Sequence, residues 1–211
     1  MDLATPLIGF AGVVVTSLGT LLLKHYLENR DHHEVSDAEI RFTLSEINEL
    51  HQRCLDLEQT TKIDRFLILK AENGKSNPKF ASVVFEQCRN RQPFIASLVY
   101  TKIHVDSYYQ EMLKTGEAQG LLEMETATMP DGARLRGFYE SEKVTFSNLY
   151  FLGRNPTESA SNDKWVVWYC TLATMQTDGF TKAERLKLQT FVDFVKQLFD
   201  SRMPKAKGED K

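Results

Sequence analysis

Arg134, Arg136, Tyr139 and Lys143 place three cations and a phenol within one short stretch, as recognition of an anionic ligand requires. A guanidinium offers a planar fork of donors and an ammonium a mobile point charge, so the set suits a carboxylate or a phosphate. Glu123, Glu125, Glu140 and Glu142 lie close in sequence and give the same cations a second possible role, as members of a charged sheet surface. Tyr100, Tyr108 and Tyr109 can wall such a site with aromatic rings or sit half-buried in the core. The expected ligand-binding set is therefore Tyr100, Arg134, Arg136, Tyr139 and Lys143.

Other chemistry-bearing residues are weaker candidates. Glu123 and Glu125 lie two apart on one strand face, as paired carboxylates would, but arginines opposite them account for the pair more simply. His25, Asp31, His32, His33 and Glu34 are suitable metal ligands in a spacing that fits no closed site, so they read as a solvated linker and no metal is expected. The cysteines, Cys54, Cys88 and Cys170, are odd in number and widely spaced, like core thiols in a reducing compartment. There is no GxSxG, P-loop or HExxH, so no catalytic residue is assigned and an enzyme is not expected. With 26% charged residues and a formal charge of -3, no basic face argues for nucleic acid.

The elements that must position these residues follow from periodicity. Ser36 and Glu39 form a capping-box pattern ahead of Ile40, Leu44, Ile47, Leu50, Cys54 and Leu57, which recur at helical spacing until Thr60-Thr61. Ile63 to Leu69 is strand-like and turns at Asn73-Gly74; Phe80 to Glu86 and Phe94 to Val105 are rich in strand formers. Asp106 to Thr115 reads as a short helix ending at Gly116. Leu121 to Thr128 reads as a strand, turning at Pro130-Asp131-Gly132 to pair with Arg134 to Glu140. Lys143 to Gly153 alternates weakly, whereas Trp165 to Leu172 is apolar on both faces, as in a central strand. Thr181 caps a last amphipathic helix. Helix, antiparallel strands and helix make an α+β order.

Ahead of this domain, Leu3 to Leu23 carries no charge and is followed by Lys24, His25 and Tyr26, the length and border of a transmembrane helix. The n-region, Met1-Asp2, is too short and the apolar run too long for a cleaved signal peptide. Lys24, Arg30 and Arg41 all follow the span, which orients the N-terminus outside and the large C-terminal part in the cytoplasm of a single-pass protein of the cell membrane. Gly12, Thr16 and Gly19 share nearly one helical face and would let two spans approach.

The strand Ile63-Asp64-Arg65-Phe66-Leu67-Ile68-Leu69 turning at Asn73-Gly74, the late hydrophobic strand, and Gly179-Phe180-Thr181-Lys182-Ala183-Glu184-Arg185 entering an amphipathic helix together resemble a GAF-like domain over Ser36 to Ser201. The resemblance implies a central antiparallel sheet between a ligand pocket and flanking N- and C-terminal helices, which in such domains often build a dimer bundle. It also implies a ligand class that ranges over cyclic nucleotides, tetrapyrroles and small metabolites, with some members binding nothing. Asn162-Asp163-Lys164-Trp165 matches the asparagine-lysine-phenylalanine-aspartate pattern of cyclic-nucleotide binders poorly, and no cysteine stands where a bilin would attach. Cys54 and Cys170 are too dispersed for the redox chemistry of the superfamily's methionine sulfoxide reductases. No cofactor is named.

The expected layout is a transmembrane helix over 1–23, a juxtamembrane linker over 24–35, a GAF-like domain over 36–201 and a disordered tail over 202–211. The expected function is a membrane-anchored cytoplasmic sensory or regulatory module, prone to homo-oligomerise, that binds a small molecule and signals through a partner protein. The alternative is a ligand-free, membrane-tethered scaffold or assembly protein.

Overall fold

The computed structural model of the chain describes residues 42–73, 77–89, 100–155 and 166–201. Helix α1 (Leu44–Thr60) begins at Thr43, whose hydroxyl accepts the Glu46 N–H at 3.2 Å while Glu46 accepts the Thr43 N–H at 2.7 Å. This reciprocal capping box satisfies two amides that the helix itself cannot. Leu50, Cys54 and Leu57 form its buried seam. At its other end, Arg89 Nη2 donates to the carbonyls of Glu58 and Thr61 at 2.7 and 2.6 Å, setting a cation where the helix dipole is negative.

Strands β1 (Arg65–Glu72), β2 (Phe80–Cys88), β3 (Ile103–His104), β4 (Leu121–Glu125), β5 (Phe146–Asn155) and β6 (Val166–Thr174) form one antiparallel sheet of order β3-β2-β1-β6-β5-β4. β6 is buried along its whole length, as its apolar pattern on both faces requires. Because side chains alternate across a strand, the sheet feeds two cores. Phe66, Ile68, Trp168 and Cys170 pack with α1 and with Leu188, Phe191 and Val195 of α4 (Lys182–Asp200). On the opposite face, Leu69, Val83, Leu149 and Tyr169 pack with Tyr109 and Leu113 of α2 (Ser107–Gln119) and Leu135 of α3 (Arg134–Ser141). The architecture is α+β, a six-stranded antiparallel sheet flanked by helices.

Four details differ from the sequence reading. Arg134 to Glu140 is helix α3, not a strand: Leu135, Phe138 and Tyr139 stand at i, i+3 and i+4, which is helical spacing. The partner of β4 is β5, so no arginine lies opposite Glu123; that carboxylate meets Arg185 of α4 at 2.6 Å. β4 ends at Glu125, and Thr126–Thr128 forms a 3-10 turn. Helix α2 runs past Gly116 and ends at Gly120, whose φ of 76° gives the left-handed cap. Gly116 instead serves close packing, since a Cβ there would lie 2.9 Å from Leu149 Cδ2.

The expected strand over Phe94 to Val105 is described only from residue 100, where Ile103–His104 pairs with β2. The expected span Leu3 to Leu23, the linker 24–35, the helix start at Ser36 and the tail 202–211 lie outside the described residues. Among the described residues, no helix is long and apolar enough to cross a membrane.

Candidate functional site

The site is built on the sheet face beneath α2 and α3. Register places Leu67, Thr171 and Leu149 in one row across β1, β6 and β5, with Leu69 beside them. Above this floor stand Tyr109 and Met112 of α2 and Leu135, Phe138 and Tyr139 of α3, with Tyr100 and Ile103 closing one side. Together they line a largely apolar, partly open cavity of about 40 Å³. The Tyr100 and Phe138 rings meet at 4.8 Å, an aromatic contact across the cavity rim. Burial pushes the Tyr139 phenol up to about 12, against the opposing influence of Ser147 and Arg65, and raises the Tyr109 phenol further.

One end of this face is charged. The next row holds Cys88, Arg65, Ala173, Ser147 and Met124 on five successive strands. Arg65 Nε lies 3.6 Å from Glu86, and its Nη1 pairs with Glu142, which follows α3 and lines the cavity. The guanidinium side chain is 8% exposed and that of Glu86 is fully buried. Arg65 Nε and Nη1 meet these carboxylates without hydrogen-bond geometry, so charge holds the cluster more than directed bonding does. The Cys88 thiol donates to Glu86 at 3.3 Å, and burial lifts it to about 11, which leaves it protonated and a poor nucleophile. Burial likewise raises Cys54 and Cys170.

The structure divides the sequence-derived binding set. Tyr100 and Tyr139 line the cavity. Arg134 and Arg136 lie on the outer side of α3. Arg134 donates its backbone N–H to Asp106 at 2.8 Å and its side chain to the His104 carbonyl at 3.3 Å. Arg136 is engaged by Asp131, Glu140 and the Met129 carbonyl, and the Glu140 hydrogen bond, with Asp131, raises its affinity for its proton. Lys143 is exposed in the turn after α3, at φ 58°. Tyr109, which the sequence offered as an aromatic wall, does line the cavity, whereas Met112, the cavity role of Glu142 and the Arg65–Glu86 cluster are what the sequence reading missed. Their signal was parity: Arg65 shares a face with Leu67 and Leu69, and a charge on that face must find a buried partner.

No family model matches the chain, and no curated protein matches it. Solved structures do. The GAF domain of a two-component sensor histidine kinase from Bacillus halodurans superposes with a TM-score of 0.52 at 7% identity, covering 76% of this chain and 96% of that one. A far-red cyanobacteriochrome photoreceptor superposes at 0.54 with 11% identity, covering 86% and 97%. The fold is GAF-like. In the GAF-like domain, the Asp64-Arg65 pair that marks the first strand is structural at Asp64, which accepts the Met175 N–H at 2.7 Å and the Thr174 hydroxyl at 3.1 Å. Arg65 turns to the opposite task and carries the buried charge cluster beside the cavity. Among the described residues there is no group of metal-ligating side chains.

Proposed function

We propose that the chain is a membrane-anchored sensory or regulatory module, whose GAF-like domain takes a compact small molecule in the cavity under α2 and α3 and acts through a partner protein. The observation that carries this is the position of Glu142, which lines the cavity and also pairs with Arg65 at the start of β1. A ligand that displaces α3 changes that ion pair, and β1 is joined by a few residues to α1. Lys62 in this joint donates its N–H to Glu184 of α4 at 2.8 Å, so both flanking helices feel the same displacement. The two structures of like fold come from a sensor histidine kinase and a photoreceptor, which supports a sensory role by analogy of fold.

Anchoring rests on the uncharged stretch Leu3 to Leu23, and a cytoplasmic domain rests on the cations that follow it. Pairing of two copies through the flanking helices belongs to the same reading. Native mass spectrometry of the purified full chain, with a thermal-shift screen of compact metabolites, tests ligand binding; a co-purified molecule or a stabilising one is the expected result. Protease protection of Lys211 tests orientation.

The narrowness of the cavity favours a second reading. Bulky side chains leave about 40 Å³, so a ligand-free scaffold that positions partners at the membrane fits the same domain. Absence of any co-purified or stabilising molecule selects that reading.

A further inference from the structure

We propose that β4 is a docking edge for an extended basic segment of a partner protein, which adds to the sheet beside β4 and lays a Lys or Arg side chain into the adjoining groove. The proposal deepens the reading that the chain acts through a partner, and it does not depend on whether the cavity under α3 is ever filled.

Among the described residues β4 ends the sheet, and one of its sides has no neighbouring strand there. The Thr126 N–H bonds the Thr145 carbonyl at 2.9 Å and the Phe151 N–H bonds the Gly120 carbonyl at 3.3 Å. These two bonds fix the alternation: even-numbered positions face β5, and Leu121, Glu123 and Glu125 turn their N–H and C=O groups outward. Of these outward groups only the Glu125 carbonyl has a partner among the described residues, the Thr128 hydroxyl at 2.9 Å. An unpaired row of this kind is a template for another strand.

Beside it lies a groove of about 320 Å³ between β4, β5 and the loop before α4. Its polar lining is dominated by acceptors: the carboxylates of Glu123, Glu125 and Asp178, with Arg185 the sole cation among its lining residues. Arg185 is occupied by Glu123, and Asp178 by Lys62 from outside the groove. Glu125 has no ion-pair partner among the described residues. At the floor, Asn148 is only 4% exposed. Its amide nitrogen lies 3.4 Å from the Tyr150 hydroxyl, and its oxygen has no partner among the described residues. That oxygen is not among the buried atoms lacking a partner, so it keeps some contact with solvent and is open to a donor entering the groove. An ammonium or guanidinium supplies several donors and balances the acids.

The same charges argue against a second copy of this chain as the occupant. Antiparallel pairing of two β4 strands about Glu123 would set Glu123 against Glu123, and like charges directly opposite destabilise a strand pair. A partner strand with Lys or Arg at alternate positions meets Glu123 and Glu125 on one face instead.

The test uses the full-length chain and a synthetic nonapeptide alternating Lys with Val, its Glu-Val counterpart, and a Lys-Val version N-methylated on its edge-facing amides. The expected result is binding of the Lys peptide alone, read by fluorescence anisotropy, with slowed amide exchange at Glu123 and Glu125. The double change Glu123→Lys with Glu125→Lys should weaken binding about tenfold or more, and the milder Glu123→Gln with Glu125→Gln should weaken it less. Equal binding of the Glu peptide, unchanged affinity after charge reversal, binding without amide protection, or no binding at all would overturn the proposal. Protection that rises with protein concentration in the absence of peptide would also overturn it, in favour of self-pairing.

Discussion

Glu184 shows how much one side chain can hold in this domain. Its Oε2 accepts the N–H and hydroxyl of its own cap residue, Thr181, each at 2.8 Å, and its Oε1 accepts the Lys62 N–H from the start of the α1–β1 joint. Burial alone would raise its carboxyl, but these hydrogen bonds and the nearby Lys62 charge outweigh it and hold the group below the ordinary glutamate range. A lowered folded value means that the carboxylate contributes stability above the unfolded value, and that this contribution is lost as pH falls through the folded one. Glu184→Gln is expected to cost about 1 kcal/mol in urea unfolding at neutral pH, and to flatten the acid side of the stability profile. Arg65 makes the opposite case. Arg65→Met leaves Glu86 and Glu142 without their cation and is expected to cost about 3 kcal/mol or more, part of which Glu142→Leu in the same chain should restore. Equal unfolding midpoints for the single and double variants would count against the buried ion cluster. Thr181-x-x-Glu184 was legible in the sequence as a cap because its partners are local. The pairing of Arg65 with Glu86 and Glu142 was not, because only the sheet register brings those residues together.

At the scale of elements, period decided what could be read. β6 and α4 were legible because each carries a long unbroken pattern, apolar on both faces in the one and amphipathic in the other. α3 was misread because its stretch is short and its two arginines alternate, although Leu135, Phe138 and Tyr139 already spelled a helical stripe. That misreading placed the binding set on a sheet: on a strand, Arg134 and Arg136 would share one face and Tyr139 would take the other, whereas the helix turns the arginines outward and the tyrosine into the cavity. The two glycines of α2 separate packing from backbone geometry. Gly116→Ala gains helix propensity of up to about 1 kcal/mol but drives a methyl into buried Leu149, so the net expectation is a modest loss in thermal stability. Gly120→Ala meets no atom within 4 Å, yet its φ of 76° should cost about 1 kcal/mol through the left-handed backbone alone. In a Leu149→Val background, itself less stable for the lost core volume, the penalty of Gly116→Ala should shrink and that of Gly120→Ala should stay the same.

For the whole molecule, cavity size limits what a GAF-like sensor of this sequence can sense. A water needs roughly 10–15 Å³ of such space, so about 40 Å³ gives room for very few atoms before walls must move. Tyr100, Met112, Phe138 and Tyr139 line this space, and widening a packed wall of that kind for a larger ligand costs about 1–3 kcal/mol or more. Tetrapyrroles and cyclic nucleotides, which the family resemblance allowed, should therefore leave the melting temperature of the full chain unchanged. A compact apolar molecule that enters without repacking should raise it. Enlarging the cavity separates this size filter from simple lack of affinity. Met112→Ala removes a half-buried wall at a stability cost of roughly 2 kcal/mol or more, and a benzene-sized probe should then restore part of the loss. Stabilisation of the unaltered chain by a ligand of tetrapyrrole size would show instead that α3 opens far enough to remake the site, and the Glu142–Arg65 pair would be the first contact broken.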